Sequence, residues 1–395
     1  MSTRIAFIDH SFHQKTEATR FFVDLLQRNS QTVTISNNSW NTGDIPDLRN
    51  KDESFSAVVF FQLISPEMID AVACKNVIFV PMYDSVAGNP VSFWKSLWER
   101  NVRILNFSST INNACKKLEI ACKEVKYYPE PATSFEATNE KRIFFWQRGD
   151  SVSLEAVLAL TGRDVQSLHH HKALDPLQRN SRFSRDTPRG INYSSSSWFE
   201  NRGDYLSRVK ECSIFVAPRL AEGIGMSFLE AMAMGKAVLA ANFPTMCEYI
   251  KDKGNGYLFD PSQLKRVDFS DLENVMKRAY ESVQSGFEKW KESRSSIMDW
   301  ILTPQDRQPS SFFEVCRDFP QLESARILSD GTETQLFGPP IGTLSAQLRW
   351  FAGYLLRSRG FRGVDLLRFS FWGRLLTWPF RHLAWRRTVG RKNIL

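Results

Sequence analysis

The chain has 395 residues, a formal charge of +8, 42% hydrophobic and 24% charged residues. That length suits two domains of typical size plus an extension, and the composition excludes wholesale disorder. The six cysteines form no C-x-x-C pair and no zinc-site or disulfide-framework spacing, which points to a reducing compartment.

Met1 runs directly into Arg4-Ile-Ala-Phe-Ile-Asp9, with no charged leader before an apolar run, so no signal peptide is expected. No apolar stretch reaches the roughly 18 residues of a membrane span. Short apolar runs predict strands at 4–9, 31–36, 56–64, 76–82, 102–107 and 124–128. The clearest helix among them covers Thr16 to Arg28, where Phe21 and Leu25, then Phe22 and Leu26, recur at helical spacing. Pro129 and Pro131 end this series in a linker. A second series follows. Strands are expected at 143–147, 164–169, 191–194, 213–217 and 237–241, and helices at 153–160, 202–210 and 227–234. Residues 172–190 read as an exposed loop. A long helix from Asp271 to about Ile301 closes the pattern, with Gly286 a candidate break. The alternation predicts parallel α/β structure in two domains, 1–130 and 131–302, followed by 303–395 as linker and tail.

Chemistry concentrates at Ser213 to Pro261. There the order is strand, glycine-bearing loop Glu222-Gly-Ile-Gly-Met226, helix and strand. Such a loop lies at the carboxyl end of a parallel strand, where open α/β sheets bind ligands. Gly223 and Gly225 permit close backbone approach, and a helix starting near Met226 or Ser227 offers N–H groups and a dipole to a phosphate. Glu230, one turn on, is placed to accept two hydrogen bonds from a diol.

Glu222 and Glu230 are separated by seven residues. With Gly-x-Gly after the first and Glu-Ala-Met-Ala at the second, this E-x7-E stretch resembles the donor-site motif of the family 4 retaining glycosyltransferases. Gly235-Lys-Ala-Val-Leu-Ala, Glu248 and Gly256-Tyr-Leu-Phe resemble that family's following segments. The resemblance implies a GT-B architecture, two Rossmann-like domains facing a cleft. It implies that Glu230 binds the nucleotide ribose, that Glu222 faces the sugar hydroxyls, and that the amides at 225–227 hold the diphosphate. Lys141 to Gly149 resembles the place where the family begins its second domain with a strand ending in an Arg, which implies that Arg148 would pair with the diphosphate through its forked donors. The family's usual Lys a few residues later is Ser153 here, and Arg219 is the candidate replacement. In the first domain Tyr83 or Asp84 takes the position of a residue that touches the sugar in other members. His10 and His13 are candidate acceptor-side contacts. His169, His170 and His171 read as a strand end, since no Cys or carboxylate spacing completes a metal site.

The implied reaction is sugar transfer from a nucleotide-diphosphate sugar with retention. The leaving phosphate helps deprotonate the acceptor hydroxyl, and no protein nucleophile or metal is required. No cofactor is expected beyond the donor substrate.

Charge is uneven. From Arg349 onward there are eleven Lys or Arg and one acid, Asp365, so the tail carries 11 − 1 = +10 and the first 348 residues about −2. The tail interleaves its arginines with Trp350, Phe351, Tyr354, Phe361, Phe369, Phe371, Trp372, Trp378, Phe380 and Trp385. A broad apolar arc with an arginine stripe is the composition of an interfacial membrane helix on anionic lipid, despite Pro379. Packing on the protein is the competing expectation, and nucleic acid is not expected as a partner. The combined expectation is a cytoplasmic enzyme, peripheral at the inner face of the cell membrane. It would extend a lipid-linked or other saccharide acceptor in surface polysaccharide assembly. The alternatives are a non-catalytic GT-B assembly subunit and a sugar-nucleotide epimerase.

Overall fold

The computed structural model describes residues 3–304, save 44, 49–54, 90, 176–182 and 184–187. The tail, and most of the loop-like segment expected at 303–342, lie outside the described residues. The chain divides into two compact units. The first is Met1–Lys126 together with the stretch beginning at Lys289, and the second includes Tyr127–Glu288.

The first unit carries a parallel sheet of β1 (Arg4–Asp9), β2 (Gln31–Ser36), β3 (Ala57–Phe61), β4 (Val77–Val80), β5 (Arg103–Asn106) and β6 (Cys122–Glu124). Its order is β2-β1-β3-β4-β5-β6, so the direction of winding reverses between β1 and β3. β3 and β4 are buried at every residue, as strands covered on both faces must be, which is why they read as unbroken apolar runs. The helix expected at 16–28 is two helices, α1 (Ser11–Thr16) and α2 (Arg20–Gln27). Glu17 between them is left-handed at φ 54°, which stops one helix and re-aims the next. Phe22, Leu25 and Leu26 still form the buried face of α2. The remaining helices of this unit are α3 (Ser39–Thr42), α4 (Pro66–Asp70), α5 (Tyr83–Val86), α6 (Val91–Glu99) and α7 (Ser109–Lys117).

The second unit repeats the plan with β7 (Arg142–Gln147), α8 (Leu154–Thr161), β8 (Ser167–Lys172), β9 (Asn192–Ser196), α9 (Arg202–Lys210), β10 (Ile214–Val216), α10 (Met226–Ala233), β11 (Ala237–Ala241), α11 (Met246–Tyr249) and β12 (Tyr257–Phe259). All pairs are parallel, in the order β12-β11-β10-β7-β8-β9. Winding reverses between β7 and β10, and the carboxyl ends of those two strands frame the crevice where such sheets take ligands. Phe144, Phe145 and Phe215 are fully buried in this sheet, each contributing about 1.5–3 kcal/mol by leaving water.

The closing helix, α12 (Leu272–Leu302), begins in the second unit and its last turns belong to the first. It passes Gly286 unbroken. A Cβ there would lie 2.4 Å from the Tyr128 ring, so this glycine serves a close approach. Its last carbonyls find partners on the first sheet. Arg103, 2% exposed, donates to the carbonyls of Trp300 (2.6 Å) and Ile301 (2.8 Å), and Asn76 donates to Ile301 at 3.0 Å. These bonds satisfy groups that a helix end otherwise leaves open. No helix among the described residues is long and apolar enough to cross a membrane.

Candidate functional site

In the second unit Arg148 follows β7, Asp175 follows β8, and Arg219 follows β10. Arg148 donates to Asp175 Oδ1 from Nε at 2.8 Å and approaches it through Nη2 at 2.6 Å. Arg219 Nη2 donates to Asp175 Oδ2 at 2.5 Å. One carboxylate therefore holds two guanidinium groups side by side. Burial alone would raise the Asp175 pKa, but Arg148 and Arg219 hold it below the ordinary carboxylate value. The 173–175 segment is pinned to the end of β7. The Asp175 amide donates to the Arg148 carbonyl at 3.1 Å, and the Trp146 indole to Ala173 at 2.9 Å. The Arg148 guanidinium also lies 4.7 Å from the centre of the Trp146 ring. Ser153 caps α8, its hydroxyl accepting from the Ala156 amide at 3.2 Å.

The glycine loop leads into α10 at Met226, within the expected range. Gly225 occupies the N-cap with φ 83° and ψ 48°, a left-handed conformation, and brings no side chain to the first-turn amides. This is the helix start that presents N–H groups to an anion. Glu222, Gly223 and Ser227 are buried, while Met226 and Glu230 are partly exposed. Thr245, fully buried, holds the loop by donating to the carbonyls of Glu222 (3.4 Å) and Ile224 (3.3 Å). The Glu222 amide donates to Pro244 at 3.2 Å. Glu230 pairs with Arg202, the first residue of α9. Burial raises its pKa above the ordinary glutamate value, with Arg202 opposing. One turn after Arg202 comes Tyr205. Burial foremost, then Glu230, pushes its phenol well above 10, while Arg148 and Arg202 pull the other way and Glu222 pushes further.

In the first unit the end of β1 gathers a polar cluster. Asp9, 2% exposed, accepts from the His10 amide (2.9 Å) and the Thr19 hydroxyl (2.7 Å), and lies 2.6 Å from His13 Nδ1. The His10 and His13 ring centroids are 3.6 Å apart. His10 Nε2 meets Gln62 Oε1 at 3.2 Å, and Gln62 donates to Ser85 at 3.0 Å. Burial first, then His13, lowers the His10 pKa to about 4 against Asp9 and Gln62. Tyr83 and Asp84 open α5, after β4. Asp9 and Gln62 thus sit at the carboxyl ends of the two strands where this sheet reverses.

The histidine triplet lies inside β8, which spans Ser167–Lys172 and does not end at 169 as expected. Its partners come from the neighbouring strands. His169 bonds Ser194 (2.8 Å) and Ser196 (2.9 Å), His171 bonds Ser196 (2.9 Å), and His170 bonds Tyr193 (3.0 Å) and Gln147 (2.9 Å). Burial, then Lys172 and the two flanking histidines, lowers His170 to about 3, and burial, then His169, lowers His171 to about 4. The three are neutral structural groups of the sheet.

Sequence reasoning missed Asp175, Arg202, Tyr205 and Thr245. No local motif marks them, because each acts through a residue distant in the chain. Arg148 and Asp175 are 27 positions apart, Arg219 and Asp175 44 apart. A search for an acid able to serve two arginines would have reached Asp175 only once the strand order was known.

Residues 195–268 match the family model Glycosyl transferases group 1. A comparison with curated proteins finds no match. Among solved structures, the fold resembles the apo form of the lipopolysaccharide outer core galactosyltransferase WaaB at 13% identity and TM-score 0.53, covering 75% of this chain and 99% of that one. It also resembles a sucrose-phosphate synthase from Thermosynechococcus elongatus at 12% identity and TM-score 0.52, covering 75% and 98%. A glycosyltransferase from Rickettsia africae ESF-5 matches at 14% identity and TM-score 0.51, covering 77% and 100%. At these identities the likeness is one of fold. Residues 195–268 are thus similar to the glycosyl transferases group 1 family, and the two parallel-sheet α/β units have the GT-B fold.

Proposed function

We propose that this protein transfers a sugar from a nucleotide-diphosphate sugar to a saccharide acceptor, lipid-linked, in surface polysaccharide assembly, with retention of anomeric configuration. The observation that carries the reading is the pair of guanidinium groups, Arg148 and Arg219, that Asp175 gathers at the carboxyl ends of β7 and β10, together with the start of α10, which has no side-chain cap, on the loop that follows β10. Charge, forked donors and helix amides together suit a departing diphosphate. Glu230 accepts from the ribose diol once Arg202 yields it, and buried Glu222 faces the sugar hydroxyls. Arg219 supplies the second cation that Ser153, committed to capping α8, does not. In the first unit, the Asp9, His10 and His13 cluster with Tyr83 is the acceptor side, and Asp84 is the residue that meets the transferred sugar.

The transfer breaks the bond from the sugar's anomeric carbon to the diphosphate, and the electron pair leaves with the phosphate oxygen. The acceptor oxygen bonds to that carbon on the same face, and its proton passes to the leaving phosphate. The protein stabilises the departing charge and positions both substrates. The arginine- and aromatic-rich tail, 349–395, holds the enzyme at an anionic membrane surface where a lipid-linked acceptor resides.

The test is a thermal-shift screen with UDP, GDP, CDP and dTDP, with Glu230→Ala as control. A diphosphate at 100 times its Kd adds about 2.7 kcal/mol of stability. A shift with one of them, lost in the variant, is the expected result. No shift with any moves the reading to a non-catalytic subunit, and turnover of free nucleotide sugar without acceptor moves it to an epimerase.

A further inference from the structure

The Tyr205 hydroxyl is buried and has no hydrogen-bond partner among the described residues. A buried tyrosine hydroxyl ordinarily finds one, and leaving it unmade is costly. The residue is held firmly nonetheless. Its ring packs in an aromatic group with Trp146 (5.5 Å between centroids), Phe144 (5.7 Å), His171 (6.2 Å) and Phe199 (6.4 Å). These contacts fix where the hydroxyl stands, so the orphan is a feature of a rigid site.

Two chains of contact locate it. Trp146, against which the Tyr205 ring packs, also carries the Arg148 guanidinium on its ring at 4.7 Å. Arg202, which pairs with Glu230, precedes Tyr205 by three residues in α9, and residues so spaced share a helix face. Tyr205 is therefore linked, through Trp146 and through Arg202, to both the arginine proposed to hold the diphosphate and the glutamate proposed to hold the ribose. In a nucleoside diphosphate the group between those two is the ribose-proximal phosphate.

We infer that Tyr205 is a nucleotide-binding residue whose hydroxyl donates a hydrogen bond to the phosphate nearest the ribose. The inference rests on the glycosyltransferase reading of this site. Burial, foremost, keeps the phenol protonated, so it remains a donor at neutral pH. The described residues leave this donor unsatisfied, and a phosphate oxygen satisfies it on binding.

The test is Tyr205→Phe, which keeps the ring and removes only the hydroxyl. Calorimetric titration would use whichever of UDP, GDP, CDP or dTDP binds the unaltered protein, with the matching nucleoside monophosphate and nucleoside. The expected result is about tenfold to a hundredfold weaker binding of both phosphorylated ligands, the value of a hydrogen bond to a charged acceptor. Nucleoside affinity stays unchanged, and the ligand-free melting temperature stays equal or rises. Equal affinity for the diphosphate in both proteins would overturn the inference. So would an equal loss for the nucleoside, which would place the contact on ribose or base. A melting temperature lowered by several degrees would also overturn it, by showing that the hydroxyl serves the fold. If the unaltered protein binds none of the four diphosphates, the underlying reading fails first and takes the inference with it.

Discussion

Replacing Gly225 with alanine places two costs on the start of α10. The residue is left-handed at φ 83°, where a Cβ costs about 1–2 kcal/mol. That Cβ would also lie 1.9 Å from Cε1 of Phe228 and 2.5 Å from its Cδ1. Phe228 is fully buried and packs on Tyr249 at 5.9 Å between centroids, so the ring has no free path away. Overpacking of this kind adds about 1–3 kcal/mol, giving about 2–5 kcal/mol in all. Gly190→Ala is the matched control, since that residue has φ 77° and, among the described residues, nothing within 4 Å of its would-be Cβ. The control bears the conformational cost alone. Urea unfolding of the two variants, read as the difference in free energy, should separate them by the overpacking share of about 1–3 kcal/mol. If Gly225→Ala proves no less stable than Gly190→Ala, the ring has room to move and the steric reasoning is refuted.

The buried histidines of β8 set a pH dependence. His170 and His171 titrate near 3 and 4 in the folded protein but near 6.5 when unfolded. Between those values the unfolded chain binds the protons, so stability falls as pH drops below 6.5, by up to about 1.4 kcal/mol per pH unit for each histidine. Urea midpoints at pH 7, 6 and 5 should fall in sequence, and His170→Gln should flatten the slope. A midpoint that holds steady from pH 7 to 5 would contradict the assignment. For the tail, flotation with vesicles containing anionic lipid should carry the full chain upward and leave one truncated at residue 304 behind. Equal behaviour of the two would remove the membrane part of the proposal.

Much of the fold was legible because strands of a parallel sheet, buried on both faces, must be apolar throughout. Ala57–Phe61, Val77–Val80 and Ala237–Ala241 announce themselves in this way. The glycine loop and α10 were legible for a related reason, since a left-handed N-cap at a strand's carboxyl end accepts few residues other than glycine. Local pattern failed where a distant residue decided. The periodicity at 16–28 gave no sign of the left-handed Glu17. Gly286 resembled a break because its ring neighbour, Tyr128, lies far away in sequence. The histidine triplet resembled a strand end because the serines and tyrosine that satisfy it stand on β9.

The same division holds for the site. Sequence alone nominated the residues proposed to meet a diphosphate and a diol, because Glu222, the glycines, Glu230 and Arg148 belong to local strand-to-loop units. Only the tertiary structure decided what surrounds them. Strand order brought Arg219 and Arg148 onto one carboxylate at Asp175, and α9 delivered Arg202 to Glu230 and left the Tyr205 hydroxyl unmatched. Local chemistry is written in neighbouring residues, whereas pairing across a parallel sheet joins residues that only the crossover connections bring together.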